Sequence, residues 1–130
     1  MSNNTATFTV TEIGEISGEK WHGSFTTKLR LSHSEQFRRD EIRRRILGPD
    51  SEHASARAAN AAAVFSEIII NLTDAPSWWK NSNDGMDLED DNIVSAIYDA
   101  IVLEKKKAVE AMKKKGEEAA TELKKDVVAK

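Results

Sequence analysis

The stretch KWHGSFTTKLRL, Lys20 to Leu31, alternates with a period of two. Trp21, Gly23, Phe25, Thr27, Leu29 and Leu31 share one face, and Lys20, His22, Ser24, Thr26, Lys28 and Arg30 share the other. One apolar and one polar face predict a half-buried strand. Upstream, Phe8 and Val10 alternate in the same way, and the pattern slips before Ile13 and Ile16. A slip beside Gly14 predicts a bulge or bend, and Ser17-Gly18 supplies a turn. Residues 7–31 therefore read as an antiparallel β-hairpin. A lone hairpin is marginal in water, so this one must lie on helices or pair with another chain.

The rest of the chain must supply that support. Its 130 residues argue for one compact domain. Apolar residues at 39% and charged residues at 32% leave a lean core, as long charged helices around a small centre would. No cysteine is present, which removes disulfides, thiolate metal sites and cysteine nucleophiles. The opening residues MSNNTATFTV lack the basic and apolar regions of a secretory signal, and no apolar run approaches the ~20 residues of a membrane span.

LSHSEQFRRDEIRRRILGP predicts a helix with defined ends. Ser32 and Glu35 form a capping box, and Gly48-Pro49 stops it. Phe37, Ile42, Ile46 and Leu47 do not fall on one stripe, so this helix is too charged to serve as core on any broad face. A second helix should start near Asp50 or Ser51 and end near Thr73, before Pro76. Ala58, Ala61, Phe65, Ile68 and Leu72 recur on it at three-to-four spacing, with Asn60, Glu67 and Asn71 on its polar side, and it is expected to be the central core helix. A last helix should begin near Asn92, capped by Asp90 or Asp91. Ile93, Ile97 and Ile101 form its stripe; lysines then dominate, so it should leave the core near Leu103. Residues 1–103 are thus expected to form a compact unit and residues 104–130 a charged helical extension.

The net charge is −3, but it is unevenly spread. Five arginines, Arg38, Arg39, Arg43, Arg44 and Arg45, crowd the first helix with two acids, Asp40 and Glu41. Seven acids lie between Asp74 and Asp99, and nine lysines follow Glu104. The arginine cluster has three readings: a solvated face with i,i+4 pairs, a phosphate-binding patch, or a dock for an acidic protein surface. The acidic balance of the whole chain disfavours nucleic acid. An arginine-to-acid contact between copies is a further expectation.

Conventional sites are missing from the pattern. NSNDGMDLEDD imitates a calcium loop around Gly85, but its first ligand position would fall on Lys80. His22, His33 and His53 are not at metal-ligand spacing, and neither a nucleophile elbow nor a phosphate-binding loop occurs. No catalytic residue, metal, cofactor or small-molecule substrate is assigned.

Trp78 and Trp79 follow Pro76 in an acidic, turn-rich segment. Adjacent side chains rarely both point inward. One ring is expected to close the core, while the other is at least partly exposed, as an interface anchor would be. Trp21 either joins them or is covered by the hairpin face.

TFTVTEIGEISGEKWHGSFTTKLRLSHSEQFRRDEIRRRILG, an Ala-rich helix, and DAPSWWKNSNDGMDLEDDNIVSAIYDAI together resemble small proteins encoded among the head and tail genes of tailed bacteriophages. The resemblance spans about Thr7 to Leu103. It rests on a hairpin before a basic helix, a proline-tryptophan loop, and a helix start with Gly85, Asp87, Leu88, Asp90 and Asn92. It implies a non-enzymatic, protein-binding role in virion assembly, as a tail assembly chaperone or as a minor structural protein of head or tail. The location implied is the virion or the host cytoplasm during assembly, and the partners are other phage proteins or further copies of the chain. The contact residues expected are Trp21, Trp78, Trp79, Arg38, Arg39, Arg43, Arg44 and Arg45. The alternative is a nucleic-acid-associated factor using the Arg38–Arg45 helix and the lysine-rich C-terminus. The fold expected is α+β, mostly α: an N-terminal hairpin and three helices, the last long and projecting.

Overall fold

The alternation within residues 7–31 produces a hairpin of two nine-residue strands, β1 (Thr5–Ile13) and β2 (Lys20–Lys28). The computed structural model describes residues 4–128, with side chains to residue 123. The strands pair in unbroken antiparallel register from Thr5↔Lys28 to Ile13↔Lys20. The slip near Gly14 is thus not a bulge: Ile13 keeps its place in the alternation, on the exposed face with Thr5, Thr7, Thr9 and Thr11. On that face Thr7 and Thr26 share a hydroxyl hydrogen bond at 3.1 Å, as do Thr9 and Ser24 at 3.2 Å, and Thr11 meets His22 Nδ1 at 2.7 Å. Phe8, Val10 and Phe25 occupy the other face, with Phe8 stacked on Phe25 at 5.5 Å.

The first helix, α1 (His33–Leu47), has the expected ends. Ser32 Oγ accepts from the Glu35 amide at 3.2 Å, and Glu35 Oε1 accepts from the Ser32 amide at 2.9 Å. Gly48 ends it with a positive φ. None of its residues is buried.

The second helix, α2 (Ala56–Asn71), starts later than the sequence suggests. A 3₁₀ turn over Ser51–His53 comes first, and Ser55 then caps the helix by accepting from the Ala58 amide. Ala58 and Ala61 are exposed; the buried residues are Ala62, Ser66, Ile68, Ile70 and Asn71. The buried face of the helix is rotated from the apolar stripe and takes in the Asn71 side chain. Its Nδ2 donates to the Glu67 carbonyl at 2.7 Å and to Glu67 Oε2 at 2.9 Å. The donor is thus satisfied within the helix, whereas Asn71 Oδ1 is buried without a hydrogen-bond partner among the described residues.

One short strand had no clear sequence signal. The chain leaves α2 as strand β3 (Leu72–Asp74), which pairs antiparallel with β2 at Thr26 and Thr27 across an irregularity. The sheet is therefore three-stranded, in the order β1-β2-β3. The tryptophans then form the single turn α3 (Ser77–Lys80).

The last helix, α4 (Asp91–Val128), is 38 residues long. Ile93, Val94, Ile97 and Ile101 are buried against Val10, Phe25, Ile68 and Trp79. The start of α4 thus supplies more of the core than α2, which had been expected to be its centre. Leu103 is 51% exposed, and every residue from Val109 to Leu123 is exposed. The molecule is an α+β fold with a small core and one projecting helix.

Candidate partner-binding surfaces

The three indoles come together on the inner face of the sheet. Trp79 is 1% exposed and packs edge-on against Phe25, 5.9 Å between centroids. Gly85 makes this possible: it has φ +85° and sits so close to the Trp79 ring that a Cβ would overlap it. Only glycine accepts both conditions without strain. Trp79 is therefore core, which corrects its assignment as a contact residue. Its neighbour Trp78 is half-buried, 6.2 Å away at 83°, and lies 4.9 Å from Trp21.

Both half-buried indoles have internal hydrogen-bond partners. Trp78 Nε1 donates to the His22 carbonyl at 2.9 Å, beyond the short stretch of β2 that β3 covers. Trp21 Nε1 donates to Asp90 Oδ2 at 3.1 Å. These N–H groups help fix the hairpin on the helices. Only the exposed parts of the Trp21 and Trp78 rings are available to a partner.

Asp90 is the joint of the fold. At 1% exposure its carboxylate accepts from the Ile16 amide at 2.8 Å, the Ser17 amide at 2.9 Å and the Ser17 hydroxyl at 2.6 Å, besides Trp21. Asn92 adds two bonds, accepting from the Glu15 amide at 3.1 Å and donating to the Ile13 carbonyl at 2.9 Å. The hairpin turn is a concave row of amides filled by an anion from the same chain. The Ser17 hydroxyl and amide, then the Ile16 amide and Trp21, hold the Asp90 carboxyl down at about 2 against desolvation. A helix cap was expected of this residue. Its carbonyl does accept from the Ile93 amide at 3.1 Å, but its side chain bonds the hairpin turn. Among the described residues, no group of three or more His, Asp or Glu converges as a metal site would.

The arginines divide. Arg39 turns inward and donates to Glu67 Oε1 at 2.7 Å, tying α1 to α2. Lys105 of α4 lies at the same junction: burial lowers its pKa, Glu67 raises it, Arg39 lowers it and Glu35 raises it. Glu35 itself is bound by Lys28, which with the capping bonds to Ser32 holds its carboxyl down at about 2. Arg39 thus ties α1 to α2 with its side chain partly covered. Arg38, Arg43, Arg44 and Arg45 are exposed, and none is in an ion pair with another described residue.

Phe37 stands among them at 71% exposure, an aromatic ring that the sequence reading left without a role. Four residues before Glu41 and seven before Arg44, it shares their helix face. The signal was available: an amphipathic helix would have kept Phe37 on a stripe with Ile42 and Ile46, and it does not. A solvated aromatic beside arginines matches the composition of interface centres.

Among the described residues, no helix is long and apolar enough to cross a membrane. Neither a known family pattern, nor a curated protein, nor a solved structure matches the chain.

Proposed function

We propose that this chain is a non-enzymatic, protein-binding component of tailed-phage virion assembly, a minor structural protein or an assembly chaperone of head or tail. The outer face of α1 carries this reading: exposed Phe37 on one face with Glu41 and Arg44, flanked by Arg38 and Arg45, on a helix with no buried residue. A helix contributing no buried residue to its own domain has its outer surface free for another protein. An aromatic anchor with guanidinium forks suits an acidic protein surface, because arginine pairs with carboxylates and packs flat on apolar groups. The resemblance between Thr7 and Leu103 supplies the setting. The projecting part of α4 adds a second, charged contact, which salt would weaken.

Mass spectrometry of purified particles, together with capture of head and tail proteins on the immobilised chain, tests this. Presence in particles at fixed stoichiometry makes it a structural component. Absence from particles with capture of unassembled subunits makes it a chaperone. The same capture with Phe37→Ala should lose at least tenfold in affinity, as interface aromatics commonly do. Neither presence nor capture would end the reading. If the chain instead binds DNA with a steep salt dependence, lost on neutralising Arg43 and Arg44, the nucleic-acid alternative replaces it.

A further inference from the structure

The two edges of the sheet are treated differently. The outer edge of β2 is covered by β3 and then by the Trp78 indole on the His22 carbonyl. β1 has β2 on one side and no strand on the other among the described residues. The Leu29 amide bonds the Asn4 carbonyl at 2.7 Å, and the Gly14 amide bonds the Glu19 carbonyl at 2.8 Å. The even-numbered residues of β1 therefore face β2, and the backbone groups of Thr5, Thr7, Thr9, Thr11 and Ile13 point away from the sheet. Proteins usually guard such an edge with lysine, proline, a bulge or a short strand. From Thr5 to Thr11 this one has no charge, no proline and no break in register.

We infer that β1 pairs antiparallel with β1 of a second copy, about a two-fold axis at Phe8, joining the two sheets into one. This names the partner of one surface of the proposed assembly protein and rests on that reading only for its biological setting. The strand is self-complementary about this axis. Ala6 falls opposite Val10 and extends the inner face; Thr5 falls opposite Thr11, and Thr7 opposite Thr9, extending the outer face. Phe8 meets its own copy at a position without mutual hydrogen bonds, where side chains come closest, so the Phe8–Phe25 stack continues across the axis.

Charge selects the same alignment. Asn4 falls opposite Glu12 of the second copy. Arg30 Nε already reaches Asn4 Oδ1 at 3.4 Å, which places a guanidinium beside that carboxylate. Glu12 is exposed and in no ion pair with another described residue of its own chain. The axis repeats the contact at the other end of the pair.

Sedimentation equilibrium of the full chain should give a mass rising with concentration toward twice 14.5 kDa. Thr9→Pro removes an outward donor and leaves the bonds to β2 in place; the expected result is a monomer with unchanged circular dichroism. Should that variant fail to fold, the double variant Thr7→Lys/Thr9→Lys sets like charges opposite each other across the axis and gives the same loss. Because the chain has no cysteine, single cysteines report the register. Thr7→Cys mixed with Thr9→Cys should form mixed disulfides, since such pairs lie about 5.5 Å apart between Cα atoms. Efficient coupling within Thr9→Cys alone would move the axis and overturn the alignment. A monomer at every concentration, or a dimer indifferent to both edge variants, would overturn the pairing. A monomer that still captures head or tail proteins leaves the assembly role standing, and a dimer that captures none leaves only the pairing.

Discussion

The Asp90 carboxylate accepts from both the amide and the hydroxyl of Ser17, at 2.9 and 2.6 Å, across 73 positions of chain. That contact joins the hairpin turn to the start of α4. Asp90→Ala leaves the amides of Ile16 and Ser17 and the Trp21 indole without their acceptor. The urea midpoint should fall clearly, with near-UV dichroism changed through Trp21. Asp90→Asn should also destabilise, because its amide turns donors toward donors. An unchanged midpoint in both variants would mean the joint contributes nothing.

Acid should loosen the same joint. The carboxyls of Asp90 and Glu35 are lowered from 3.8 and 4.5 to about 2 in the folded chain. A depressed folded pKa contributes stability that is present above the unfolded value and is lost as pH falls through the folded one. Stability measured in urea should be flat near neutral pH on account of these groups, and should decline from about pH 4.5 to about pH 2. The decline should be shallower in Asp90→Asn.

The two adjacent tryptophans should respond unequally. Trp79→Ala empties a fully buried site and should cost about 3–5 kcal/mol, enough to unfold a marginal domain. Trp78→Ala loses a half-buried ring and one hydrogen bond and should cost less. Acrylamide should quench part of the fluorescence, from Trp21 and Trp78, and spare Trp79. Equal costs in thermal melts would contradict this division.

Gly85→Ala should act through Trp79. The added methyl meets the ring, and the backbone at φ +85° disfavours any side chain. A loss of about 1–3 kcal/mol is expected from the crowding alone, with a shift in Trp79 emission. A melting temperature equal to that of the parent would show that the ring has room to move.

Removing residues 109–130 should leave the core intact, because the described part of this segment is exposed throughout. Lys105 and its junction with Glu67 are kept. The helical signal should fall, while the melting midpoint shifts by no more than a few degrees, in keeping with surface changes of about 0.5 kcal/mol or less. A collapse in stability would place the extension against the core.

Much of the fold was legible in the sequence because it depends on neighbours along the chain. The alternation of Trp21 and Phe25 with Ser24 and Thr26 fixed a strand and its inner face. Ser32, Glu35 and Gly48 fixed the ends of α1, and Ile93, Ile97 and Ile101 fixed the buried stripe of α4, since capping and periodicity operate within a turn or two. The joint at Asp90, the burial of Asn71, the inward turn of Arg39 and the division between Trp78 and Trp79 were decided only by tertiary structure. Asp90 and Arg39 depend on partners far away in sequence, a row of hairpin amides and Glu67. Asn71 and Trp79 have near neighbours in Glu67 and Gly85, but only the packing of distant elements around them, such as Phe25 against Trp79, buries them. A polar or aromatic side chain has no intrinsic side of the molecule. It is buried where distant groups satisfy its hydrogen bonds and match its shape, and left exposed, as Phe37 is, where none do.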